Sequence, residues 1–134
     1  TMQNDPRYDD VVLDVYDFLA ARVAALEAAG IPRARIVVDP GIGFGKTRAH
    51  NLALLARLSL FHSLGCAVLL GASRKRFIGD ITGVAEAGAR VHGSIAVALD
   101  AAAQGVQLLR VHDVAETAAA LSLWRAVRAA DGAR

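Results

Sequence analysis

Three bursts of chemically competent residues stand at nearly even intervals: Asp39-Pro40-Gly41-Ile42-Gly43-Phe44-Gly45-Lys46, Gly71-Ala72-Ser73-Arg74-Lys75-Arg76-Phe77 and Arg110-Val111-His112-Asp113. Asp39 follows the apolar run Ile36-Val37-Val38, where a carboxylate is costly to desolvate unless a cation or several N–H groups face it. Its alternative is to close the turn through Pro40-Gly41. Ser73-Arg74-Lys75-Arg76 places three cations after the apolar run Cys66–Leu70, which suits an anion site. Arg110 and His112 alternate at the end of a third apolar run, so in an extended chain they share one face while Val111 takes the other. Such a pair suits a phosphate; alternatively His112 caps structure within its own loop.

The glycine-rich burst excludes two familiar nucleotide motifs. Gly45-Lys46-Thr47 has the ending of a P-loop, but Pro40 occupies the position of its first glycine. Gly41, Gly43 and Gly45 are spaced G-x-G-x-G rather than G-x-G-x-x-G, so the dinucleotide fingerprint is also absent. What remains is a strand-to-helix loop where backbone approaches a neighbour closely, with Phe44 either exposed there or tucked into the core.

Asp39, Lys75 and Arg110 recur about 35 residues apart, the length of one strand-helix-strand unit. The elements expected to position them are helices over 10–29, 50–64 and 89–104, strands at 36–38, 66–70 and 106–109, and a last helix after Asp113. The 74–88 segment reads as a loop, and Ile36–Val38 as a strand buried on both faces. Leu52, Leu55, Leu58 and Phe61 form the inner stripe of the second helix; Ala118, Leu121, Trp124 and Val127 share a face of the last. Asp113 and Glu116 are spaced as a capping box. His50, His62 and His92, with no charge pattern around them, read as surface or helix residues. Alternating helices and strands imply a parallel sheet with right-handed crossovers. In a (β/α) barrel, the carboxyl strand ends carry the active site. Three parallel strands need further partners, and Thr1-Met2-Gln3 lacks a start-site context, so the chain is expected to be cut from a larger one.

With 54% apolar and 21% charged residues in 134, the chain is expected to form one globular domain. A formal charge of +2 with no basic stripe interleaved with aromatics favours a small anionic ligand over nucleic acid. The lone Cys66 precludes an internal disulfide and points to the cytoplasm. No run approaches the roughly 20 apolar residues of a membrane span.

Together with Arg90…Gly93-Ser94, the three bursts resemble, in order and spacing, the dihydropteroate synthase family of pterin-binding barrels. The resemblance covers nearly the whole chain and implies the C-terminal part of a (β/α)8 TIM barrel, with strands six to eight and the last four helices. It implies condensation of 6-hydroxymethyl-7,8-dihydropterin diphosphate with p-aminobenzoate to 7,8-dihydropteroate and pyrophosphate, the folate-pathway step that sulfonamide analogues block. Lys75, Arg110 and His112 would be catalytic. Asp39, Gly43, Lys75 and Arg110 would bind the pterin, Arg110 and His112 the diphosphate, and Phe44, Gly43, Ser73, Arg74 and Arg76 p-aminobenzoate. Arg76 departs from the family's frequent serine, which leaves that carboxylate contact open. Mg2+ would be held by the diphosphate and by residues outside this chain, with no metal ligand here. The family further implies a homodimer, and a chain with three strands and about half a site is expected to be inactive alone. A methyltetrahydrofolate-binding methyltransferase of the same barrel and a non-catalytic pterin-binding half-barrel are the alternatives.

Overall fold

The computed structural model describes residues 7–132; Thr1-Met2-Gln3 lies outside them. Helix α1 (Val11–Ala28) begins where Asp10 Oδ1 accepts from the N–H groups of Val12 and Leu13 at 3.1 and 3.2 Å, and buries Val11, Val12, Val15 and Val23. Strand β1 (Val37–Val38) leads through the glycine-rich loop to α2 (Arg48–Ala56) and a 3-10 segment, Leu58–Leu64. Strand β2 (Ala67–Leu70), α3 (Arg76–Thr82), α4 (Val91–Ala103), β3 (Leu108–Leu109) and α5 (Val114–Gly132) complete the order. The strands form one parallel sheet in the order β1-β2-β3.

The pairing register, Val37 with Ala67 and Leu69 with Leu108, puts these four residues on one face of the pleat. On the other face, Val38, Val68 and Leu70 join Leu54, Leu58, Phe61 and Leu64 of the helical layer in the core. The expectation that β1 is buried on both faces is corrected: Val38 is 3% exposed but Val37 is 48% and Leu108 42%. Helices cover only one side of this sheet, the arrangement of a barrel wall whose inner face meets other strands.

Three further expectations are corrected. The single helix over 50–64 is broken because the Gln104 amide enters it: its nitrogen donates to the Leu55 carbonyl at 2.7 Å and its oxygen accepts from the Ser59 N–H at 3.1 Å, replacing the helical bond between those groups. Within the expected 74–88 loop lies α3, whose adjacent buried Phe77, Ile78 and Gly79 give no periodic stripe in seven residues. In α5, packed along α4, the buried residue is Thr117; Leu121 and Trp124 are half-buried, and Val127 is 60% exposed.

Phe61 is fully buried under the sheet, whereas Phe18, on the same apolar pattern as the α1 core residues, is 63% exposed. Phe61→Ala is expected to cost about 3–5 kcal/mol and Phe18→Ala within about 0.5 kcal/mol, measured by urea denaturation of the full-length protein. Equal losses would remove Phe61 from the core.

Candidate functional site

The pleat that faces Val37, Ala67, Leu69 and Leu108 to one side carries the same side onward to Asp39, Gly71 and Arg110 at the carboxyl strand ends. Arg110 Nη2 reaches Asp39 Oδ2 at 3.5 Å, passing over Gly71. A Cβ on Gly71 would lie 2.9 Å from Arg110 Cζ and overlap the guanidinium. Both sequence alternatives for Asp39 are therefore realised at once: Oδ2 faces a cation and Oδ1 accepts from the Gly41 N–H at 2.8 Å.

The β1–α2 loop brings a third charge to this pair. Asn51, buried in α2, accepts from the Gly43 N–H at 2.8 Å, while Lys46 Nζ donates to the carbonyls of Gly41 and Phe44 at 2.7 and 2.9 Å. Thr47 and His50 close a capping box at the start of α2, which gives His50 a structural task. Gly43 has φ +90°, and a Cβ there would stand 3.1 Å from Lys75 Cδ, so the lysine stem lies against bare backbone. Lys75 Nζ donates to the Ile42 carbonyl and sits 4.5 Å over the Phe44 ring, which is 54% exposed. Burial lowers the Lys75 ammonium from its ordinary range; Asp39 opposes that shift and Arg110 adds to it. Lys46 is likewise lowered, chiefly by burial and then by Lys75.

Lys75 points this way because the chain turns sharply after β2. Arg74 has φ +60°, a conformation unfavourable for a side-chain-bearing residue. Its peptide is held on both sides: Ser94 Oγ accepts the Arg74 N–H at 2.9 Å, and Arg90 Nη1 donates to the Arg74 carbonyl at 2.8 Å. The same Arg90 guanidinium donates to Val84 and Ala85 carbonyls at 2.9 and 2.6 Å, tying the end of α3 to the turn. The Arg74 side chain runs to Asp113, with Nη2 to Oδ1 at 2.8 Å and Nε to Oδ2 at 3.3 Å. That fork lowers the Asp113 carboxyl and is the reason the expected capping box at α5 gives way: Asp113 holds Arg74 instead.

Of the residues singled out by sequence, the structure brings Asp39, Lys75 and Arg110 together, with Gly43 and Phe44 beside Lys75. Ser73 and His112 pair with each other, Nδ1 to Oγ at 2.9 Å. Arg74 faces Asp113, and the Arg76 side chain is 92% exposed, 3.9 Å from Asp80. Arg76 lines a polar cavity of about 220 Å3 with Gly43, Lys46, Asn51 and Lys75. An apolar groove of about 450 Å3 between α2, α3 and α4 contains none of Asp39, Lys75, Arg110 or His112. Sequence reasoning named Gly71 and Lys46 within the bursts but gave neither a role, and it missed Asn51. For Gly71 a signal existed: it occupies, after β2, the place that Asp39 and Arg110 occupy after theirs.

The family model described as pterin binding enzyme matches residues 1–112. The chain belongs to the pterin-binding enzyme family. It is 51% identical over 130 residues to dihydropteroate synthase from Neisseria meningitidis serogroup B, covering 95% of this chain and 46% of that protein. Among solved structures, dihydropteroate synthase from Xanthomonas albilineans in complex with 7,8-dihydropteroate is 53% identical with a TM-score of 0.91, covering 92% of this chain and 47% of that one. The Yersinia pestis enzyme with a sulfonamide drug is 44% identical with a TM-score of 0.91, covering 96% and 47%. The chain spans about half the length of the curated relatives it matches. The neighbours are TIM barrels, and the bare inner face of the sheet is that of a partial barrel.

In a pterin-binding enzyme, the Asp39 and Arg110 arrangement predicts a specific cost for filling Gly71. Gly71→Ala should leave thermal melting nearly unchanged, since the overlapping group is a flexible side-chain end. It should weaken the pterin binding proposed below about tenfold by calorimetry of the full-length protein, and Arg110→Ala should remove that difference. Full affinity in Gly71→Ala would show that Arg110 needs no passage over this backbone.

Proposed function

We propose that the protein carrying this chain acts as a dihydropteroate synthase, joining dihydropterin-CH2-diphosphate to p-aminobenzoate with release of pyrophosphate. The observation that supports this reading is the Asp39 carboxylate held between the Gly41 N–H and Arg110, with the partly desolvated Lys75 alongside. Asp39 has lone pairs left for the N–H edge of an amino-pyrimidine ring. Lys75 donates to the ring's carbonyl and nitrogen side, and the planar Arg110 guanidinium stacks on the pterin while facing the diphosphate.

The difficult step is cleavage of the C–O bond to the diphosphate, which leaves positive charge on the CH2 carbon for the pterin ring to delocalise. Lys75, Arg110 and His112 stabilise the negative charge that develops on the leaving group. The amine of p-aminobenzoate then forms the C–N bond, and its proton leaves with solvent or the pyrophosphate, so no general base is needed. Phe44 and Gly43 wall the aromatic acid in reach of that carbon. Lys46 and Arg76, at the polar cavity beside them, offer positive charge to its carboxylate. Sulfonamide analogues of p-aminobenzoate would compete there.

Mg2+ belongs to the diphosphate and to residues beyond this chain in this reading. Among the described residues no three His, Cys, Asp or Glu side chains come together as a metal site, and no step above passes through the ion. A homodimer fits the apolar groove of α2, α3 and α4, whose rim residues Leu52 and Ile81 are 41% and 47% exposed. A cytoplasmic location accords with the buried free thiol of Cys66; no helix is long and apolar enough to cross a membrane among the described residues.

The full-length protein given both substrates is expected to release pyrophosphate and form dihydropteroate. Asp39→Asn replaces one acceptor oxygen by a donor and removes charge assistance of about 1.5–3 kcal/mol per hydrogen bond, so calorimetry should show pterin binding lost. Unchanged affinity would take Asp39 out of the site.

A further inference from the structure

The Ser73 hydroxyl makes two contacts with one residue, and together they determine which nitrogen of His112 carries the proton. Ser73 is 9% exposed. Its Oγ accepts from the His112 backbone N–H at 3.2 Å and lies 2.9 Å from His112 Nδ1. A serine hydroxyl has one proton to donate. Among the described residues, His112 Nδ1 is the one acceptor in hydrogen-bond contact with it. Were Nδ1 protonated instead, two donors would converge on Oγ and the hydroxyl proton would be left unpaired at a nearly buried position.

We infer that Ser73 is a positioning residue for His112: it donates to Nδ1, holds the imidazole as the neutral Nε2–H tautomer, and turns that N–H outward as a donor for the anion. This assignment moves Ser73 from the p-aminobenzoate contact implied by the resemblance to the diphosphate side. It rests on the reading of His112 as a diphosphate contact. It also divides the labour among the three groups around the leaving anion, with Lys75 and Arg110 supplying charge and His112 a directed neutral hydrogen bond. The backbone bond to the same Oγ links the tautomer to loop geometry. Ser73 stands in the turn after β2 and His112 in the bend after β3, so the hydroxyl joins the two loops that follow the last paired residues, Leu70 and Leu109.

Two readouts on the full-length protein test this. Long-range proton–nitrogen NMR of imidazole-labelled protein, with the His112 signal assigned through His112→Ala, is expected to show Nε2–H at neutral pH; Nδ1–H would overturn the assignment. In steady state, Ser73→Ala should lower kcat/KM for the dihydropterin diphosphate about fivefold to tenfold. The KM for p-aminobenzoate should stay within about twofold, and in a His112→Ala background the serine change should add nothing. Ser73→Thr, which keeps a hydroxyl, should restore both tautomer and rate. A raised KM for p-aminobenzoate, additive with His112→Ala, would return Ser73 to the carboxylate contact and overturn the proposal. If the unaltered protein turns over neither substrate, the synthase reading fails, while the tautomer spectrum still decides the Ser73 and His112 assignment.

Discussion

The contact between Asp39 and Arg110 across the bare backbone of Gly71 is the constraint on which the site depends. It spans all three strands: Asp39 follows β1, Gly71 follows β2 and Arg110 follows β3. A carboxylate and a guanidinium at the two edges of a three-strand sheet can meet only if the middle position carries no side chain, because the guanidinium occupies that space. The same pair organises the neighbouring charge, since Asp39 favours the charged form of Lys75 while burial and Arg110 oppose it. The cluster therefore combines one carboxylate with two cations in a place where each affects the others.

Holding Lys75 over the glycine-rich loop requires a backbone conformation that Arg74 does not favour by itself. Arg90 and Ser94, both at the start of α4, supply the compensation by bonding the carbonyl and the N–H of Arg74. The Arg90 guanidinium also fills the space that a Cβ at Gly79 would need, with its Nε 2.7 Å from that position. Strain at one residue is thus offset by a network that reaches the end of α3, the start of α4 and, through Asp113, the loop before α5. Chemistry at the strand ends and packing of the outer helices are joined through these few hydrogen bonds.

The polar cavity beside Lys75 and the apolar groove between the helices differ in their lining. Gly43, Lys46, Asn51 and Lys75 line the first with polar and charged groups, while Leu52, Leu55, Ile78 and Val97 line the second with apolar ones. Phe77 lines both: it is buried at the base of α3, between the turn that aims Lys75 and the helix layer behind it.

Local chemistry was sufficient to read much of this in the sequence. A carboxylate directly after a short apolar run is legible because desolvation makes such a placement costly without a partner, and Asp39 was found on that ground; Lys75 and Arg110 stood out instead as cations grouped after the second and third apolar runs. Arg110 and His112 were grouped on the period of two of an extended strand, whereas β3 ends at Leu109 and His112 turns to Ser73 while Arg110 reaches Asp39. Helix existence followed from apolar spacing and from stops such as Gly30 and Gly65. What the tertiary structure decided are the choices among partners. Asp113 could cap α5 or hold Arg74, and only the approach of the β2–α3 turn selects the second. Gln104 interrupts the helix after Ala56 from far along the chain, and the Gly71 requirement exists only because Arg110 crosses above it. Such contacts join residues that neither period nor propensity relates, so they arise when the sheet brings three strand ends side by side.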